Sequence, residues 1–303
     1  MNPSLNFAFE GFRIIRQKPA AVLAWGLILL IGNGLGLYVI ASMAGGALHS
    51  LEQLQAQAAG TMSVSDAEAM MALMPPILSA YAVALPLLLL ADAVVACAVY
   101  RAVLGRDGGG FAWLAVGPAE LRQFAVSVLF LLLAMGITIV CAMFASLLVM
   151  PLGPAGGVVG VILILAVLAA IAVRLSFFGV QTFDERRINL FGSWSLTVSR
   201  FWWLATGYVI TAIMIVLVDL LCLVIFIAIV AACNGGDLKA LDPVFNGDSV
   251  SLDMFRNPVT LGYLLVANGV VAPLTLALSA GSPAAAYRAL RAQPAAAKPQ
   301  DVF

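Results

Sequence analysis

The sequence is poor in charge. Aspartate, glutamate, lysine and arginine make up 10% of its 303 residues, against roughly a quarter in soluble globular chains, too little to cover a water-soluble core of this size. Histidine is nearly absent. His49 is the single one and has no cysteine beside it, which leaves a histidine-based metal centre or a Ser-His relay without its parts. Cys97, Cys141, Cys222 and Cys233 lie in apolar runs without the CxxC spacing of a metal or redox site, and they read as small packing residues. The GxSxG, HExxH and P-loop patterns are missing, and nothing in the sequence positions the loop acids Glu52, Asp66 and Glu68 against one another. We therefore expect no enzyme, no cofactor and no metal. Basic and acidic residues number 15 each, so no global positive field points to nucleic acid.

What the chain has is apolar length. It is 63% hydrophobic with a mean hydropathy of +1.07, concentrated in windows near residues 20–43, 76–104, 123–150, 155–180, 202–232 and 259–282. Each is long enough to cross a hydrocarbon layer of about 30 Å. The fold class expected is an all-α integral membrane protein with six transmembrane helices, forming a single polytopic domain over residues 1–303. MPLGPAGG, between the third and fourth windows, breaks the helix for a tight hairpin. Gly32 with Gly36 and Gly156 with Gly160 have the spacing that lets helices approach closely. Pro86 and Pro273 are expected to kink spans two and six.

Lysine and arginine set the orientation. Arg13, Arg16 and Lys18 precede the first span; Arg101, Arg106 and Arg122 lie between spans two and three; Arg186, Arg187 and Arg200 lie between spans four and five; Arg288, Arg291 and Lys298 follow the last. The loop from Gly45 to Pro75 has no lysine or arginine, and the acidic loop from Asn234 to Pro258 has only Lys239 and Arg256. The positive-inside rule then places both termini in the cytoplasm, with the first span doubling as an uncleaved targeting signal. Within the first outer loop, LHSLEQLQAQ and SVSDAEAMMALMPP predict short surface helices, with Ser65 and Glu68 spaced as a capping box.

Internal similarity divides the chain further. FEGFRIIRQKP (9–19), FAWLAVGPAELRQF (111–124) and FGSWSLTVSRFWW (191–203) each precede an odd span; AVYRAVLGR (98–106), SFFGVQTFDERR (176–187) and AAYRALRAQ (285–293) end the even ones. Three repeated units follow, each an interfacial amphipathic helix plus a helical hairpin, over about 7–106, 111–187 and 190–291, with a flexible tail at 292–303. In the first interfacial helix Asn6, Glu10, Arg13 and Gln17 share a polar face and Phe9, Phe12 and Ile15 an apolar one. Arg13, Arg16, Arg101, Arg200 and Arg288 are the candidate contacts to lipid headgroups.

The segment AVRLSFFGVQTFDERRINLFGSWSLTVSRFWWLATGY, the six-span layout and the repeated Tyr-Arg span ends resemble the bacterial inner-membrane proteins of the YciC-like group and the related glycerophosphodiester phosphodiesterase membrane domain. The resemblance implies a multi-pass protein of the bacterial inner membrane and little chemistry. The phosphodiesterase activity of the second family belongs to a separate soluble barrel with metal-binding carboxylates and catalytic histidines, for which this chain has neither length nor residues.

Asp92, Arg174 and Asp219 fall inside apolar runs, where a charge costs roughly 2.5–3.5 kcal/mol on insertion scales. Asp92 precedes Tyr100 by eight residues and Arg174 precedes Phe183 by nine, so at a rise of ~1.5 Å per residue both lie roughly 12–14 Å from the inner interface, and an ion pair between spans two and four is geometrically open. One reading makes these three, with Asn33 and Asn268, a polar cleft for a headgroup, ion or small solute; the other makes the pair a structural charge fixing helix register. The function expected is non-enzymatic. It is lipid binding, or accessory service to an envelope or membrane complex, with membrane lipids and a membrane-protein partner or second copy as the partners. The alternatives are a small transporter or channel using Asp92, Arg174 and Asp219, and a pure scaffold.

Overall fold

Proline opens four of the helices. A computed structural model describes residues 4–57, 63–106, 110–245 and 250–292, and every regular element among them is helical. The α-helices are α1 (Glu10–Gln17), α2 (Pro19–Gln57), α3 (Val64–Leu104), α4 (Pro118–Leu152), α5 (Pro154–Arg174), α6 (Phe178–Glu185), α7 (Gly192–Thr197), α8 (Phe201–Cys233), α9 (Asp242–Phe245), α10 (Pro258–Val266) and α11 (Ala272–Ala292). Pro19, Pro118, Pro154 and Pro258 stand where a helix has no use for the first N–H. Six stretches are long and apolar enough to cross a membrane: Pro19–Gln57, Val64–Leu104, Phe111–Leu147, Ala155–Glu185, Gly192–Cys233 and Pro258–Ala292. The chain is thus an all-α, multi-pass membrane protein. The described residues fall into two compact units, one of Met1–Gln17, Ala96–Met214 and Leu276–Phe303, the other of Lys18–Val95 and Ile215–Thr275.

In the second unit the glycine spacing of the sequence becomes contact. A Cβ on Gly32 would lie 2.4 Å from that of Ala91, and one on Gly36 would lie 2.8 Å from the Leu88 side chain, so α2 and α3 pack at the closeness such pairs permit. Leu23, Leu27, Ile31 and Leu35 recur every four residues on the other side of α2 and are exposed, an apolar stripe that lipid solvates. Pro273 has no N–H to give the Gly269 carbonyl four residues back. The turn before it, Ala267–Val271, is a π-helix, and the bare backbone of Gly26 fits where a Cβ would come within 2.1 Å of that carbonyl. Pro86 does not break its helix: α3 runs on through Pro75, Pro76 and Pro86.

Two expectations for the first outer loop are corrected. Its helical residues extend α2 to Gln57 and start α3 at Val64 in place of separate surface helices, because their apolar positions continue those of the spans. The capping box uses Ser63 and Asp66, not Ser65 and Glu68: the Asp66 N–H donates to Ser63 Oγ at 3.2 Å and the Ser63 N–H to Asp66 Oδ2 at 2.9 Å. Cys97 is buried as expected of a packing residue, but Cys233, at the end of α8, is exposed.

In the first unit α4 and α5 are antiparallel neighbours about Gly153, whose φ of 55° suits glycine, and Gly160 meets Ala145, with 2.7 Å from a would-be Cβ to its methyl. The N-terminal segment is docked against α8 and α11. A Cβ on Gly11 would come within 2.6 Å of the Leu278 backbone, and the buried Phe7 ring lies 4.6 Å from Trp203 and 6.0 Å from Tyr208. The face assignment shifts accordingly. Phe7, Ala8, Gly11 and Ile14 are buried while Phe9 is exposed, and Glu10, expected on the polar face, is buried too. The tail beyond Ala292 lies outside the described residues.

Candidate functional site

Two arginines of the first unit are held alike. Arg101, near the end of α3, donates Nη2 to the Glu120 carboxylate and Nη1 to the Trp113 carbonyl, 3.0 Å away; Glu120 is 2% exposed and Arg101 is 6%, so the pair is desolvated and each charge needs the other. Trp113 reaches that position at φ 57°, a left-handed backbone rarely adopted by bulky residues. Arg288, near the end of α11, donates Nη2 to Glu10 Oε1 at 3.0 Å and Nη1 to the Val103 carbonyl. Glu10 also accepts from Arg13 Nη2 at 2.5 Å and Arg13 Nε at 2.8 Å. Burial pushes the Glu10 carboxyl up, but its bonds to Arg13 and Arg288 outweigh burial and hold its pKa below the ordinary carboxylate value.

A third carboxylate is shared. Asp184, in α6, accepts from Arg106 and Arg291 and, at 3.3 Å, from the Tyr287 hydroxyl. Beside it opens a pocket of about 480 Å³ lined by Arg101, Arg106, Arg122 and Arg186 with Asp184, Phe183 and the first turn of α4 at Pro118 and Ala119. Arg122 and Arg186 make no ion pair among the described residues, and the buried Nε of Arg122 has no hydrogen-bond partner. Arg186 caps α6 at φ 56°, ψ 25°, the position where helices usually place glycine or asparagine. A left-handed, non-glycine residue costs of order 1–2 kcal/mol, and such strain clusters at binding and catalytic sites. Chemically the pocket offers fixed guanidinium forks and the positive end of a long helix, a setting for an anion.

The proposed cleft residues are distributed differently. Asn33 donates Nδ2 to Asn268 Oδ1 at 3.0 Å, so the structure brings these two together. Asp92 and Asp219 are each exposed on their helices, and neither makes an ion pair among the described residues. Asp219 lines a groove of about 350 Å³ with Cys222, Phe226 and Tyr263. Arg174 is not embedded in an unbroken span: α5 ends there, and its carbonyl accepts from Ser193 Oγ at 2.8 Å and Thr197 Oγ1 at 3.1 Å. Its guanidinium lies 4.9 Å from the Phe201 ring centre and 5.6 Å from that of Trp194, so aromatic faces meet the charge where the sequence suggested a carboxylate.

Of the candidate headgroup contacts, Arg16 is exposed, Arg200 is half-buried, and Arg13, Arg101 and Arg288 are engaged as described. Comparison with known proteins finds no match. No family model, curated protein or solved structure is similar to the chain. Arg106, Arg122 and Arg186, which carry the pocket, entered the sequence reading only as charges that set orientation. Their adjacency depends on α6 folding back against α4, for which the sequence carries no local signal.

Proposed function

We propose that the protein is a non-enzymatic bacterial inner-membrane protein that binds anionic lipid headgroups in the arginine pocket of its first unit. In this reading both termini are cytoplasmic, three helical-hairpin repeats make up the chain, and the pocket opens at the inner leaflet, where the unpaired arginines meet phosphate. A YciC-like family membership is part of the same proposal. One observation carries it: Arg122 and Arg186 line a common pocket without acidic partners among the described residues, and the Nε of Arg122 is buried there without a hydrogen-bond partner, where a buried guanidinium is ordinarily paired or on a ligand. Accessory service to a larger membrane complex is compatible with it, the bound lipid then being part of the docking surface.

The test is lipid retention. Extracted directly into nanodiscs, the protein should carry anionic lipid above its proportion in the surrounding membrane, and R122Q/R186Q should return the ratio to bulk. Bulk-like lipid around the unaltered protein contradicts the reading. A second reading, a small transporter or channel, is favoured by the unpaired Asp219 in its groove; it requires solute flux in liposomes that falls in D219N.

A further inference from the structure

Charge balance around the pocket narrows the ligand. The guanidiniums of Arg101, Arg106, Arg122 and Arg186 line it, and Arg291 joins Arg106 on Asp184. Against these five cations stand two carboxylates, Glu120 and Asp184. Glu185, next along the chain, is already engaged by Gln181, Arg187 and Asn189. Three positive charges remain uncompensated. A phosphodiester, with one negative charge, would leave most of that excess, whereas a phosphomonoester or diphosphate brings about two or more charges and a full set of acceptor oxygens.

The polar atoms point the same way. Among the pocket's own lining residues, Arg122 keeps a buried Nε without a hydrogen-bond partner among the described residues, and unsatisfied buried groups are uncommon in folded proteins. Arg186 adds its strained backbone, kept although glycine would relieve it.

We infer that the pocket is selective for a multiply charged phosphate, a terminal phosphomonoester or diphosphate, over singly charged phosphodiesters. The inference rests on the headgroup reading above and sharpens it. Its source is either a lipid whose headgroup ends in phosphate or a soluble phosphomonoester, and the two are distinguished by the arms of one experiment.

The full chain is placed in phosphatidylcholine nanodiscs containing phosphatidic acid or, at equal mole fraction, phosphatidylglycerol, and bound lipid is counted by native mass spectrometry; a third arm adds glycerol 3-phosphate without anionic lipid. One additional charge-assisted hydrogen bond corresponds to about a tenfold preference. Phosphatidic acid is expected to bind about tenfold more tightly than phosphatidylglycerol. The preference should fall to about twofold or less in R186G, a variant that removes the guanidinium while easing the left-handed backbone, so that misfolding does not explain the loss. Saturable binding of glycerol 3-phosphate with the same R186G dependence, without a lipid preference, supports the dianion and assigns it to the soluble source. Equal binding of the two lipids with no binding of glycerol 3-phosphate overturns the inference and leaves the headgroup reading standing. Absence of either lipid above bulk, again with no binding of glycerol 3-phosphate, overturns both.

Discussion

Arg101 and Arg186 belong to the same unit and line the same pocket, yet they differ in every local respect. Arg101 is buried, its guanidinium divided between a carboxylate and a carbonyl; Arg186 is exposed, unpaired and set on a left-handed backbone. Arg288 repeats the first arrangement with Glu10 and Val103, and Arg122, half-buried within α4, resembles Arg186 only in making no ion pair among the described residues, with a buried Nε left without a partner there. The contrast separates arginines engaged in holding the fold from arginines without an ion-pair partner among the described residues. Basic residues at span ends are commonly read together as orientation signals. Here their geometry divides them, and the division is open to experiment.

The largest effect is expected on the structural side. E120Q leaves Arg101 charged and buried without its counter-ion and should cost about 3–5 kcal/mol, read as a lowered thermal midpoint, while E120L with R101L should recover much of the loss. If the single variant melts like the parent, the pair is not what holds Arg101 in place. Next is G11A. Its methyl would press on the Leu278 backbone and should cost about 1–3 kcal/mol by overpacking, with faster proteolysis at the N-terminus as the local readout.

The clamp of Glu10 on Arg13 and Arg288 is smaller, roughly 1–2 kcal/mol, and it carries a pH signature. Because its folded pKa lies below the ordinary value of 4.5, the stability it adds is present above that value and lost as pH falls through the folded pKa. The parent should therefore lose stability on acidification into that range more steeply than E10Q; parallel curves would remove Glu10 from the account. The smallest effect on stability, and the most informative, is expected of R186G. It should leave the thermal midpoint unchanged or slightly higher while lipid retention falls.

Much of the architecture was legible because lipid imposes few solutions. Length of apolar run located the spans, since a segment in hydrocarbon must satisfy its backbone internally, and MPLGPAGG marked the α4–α5 hairpin, of which Gly153 alone lies outside the two helices. Gly32, Gly36 and Gly160 declared their role by spacing. Gly11 did not, because its partner at Leu278 lies far away in sequence. The capping box was misplaced by two residues because Ser63 and Ser65 offer the same hydroxyl, and geometry chose Ser63. The site was least legible. Arg101 with Glu120 and Arg288 with Glu10 are pairings across 19 and 278 residues, and the left-handed backbone of Arg186 departs from the glycine or asparagine that would have announced it.

The division between holding and binding arginines is tested most directly by lipid-dependent melting. The parent and R186G are melted in neutral nanodiscs and again with phosphatidic acid, since a ligand that binds only the folded state raises the midpoint with its concentration. Equal midpoints are expected in neutral lipid, with a rise in phosphatidic acid for the parent alone. An equal rise in both proteins would contradict that division, because Arg186 would then contribute nothing to holding the anion.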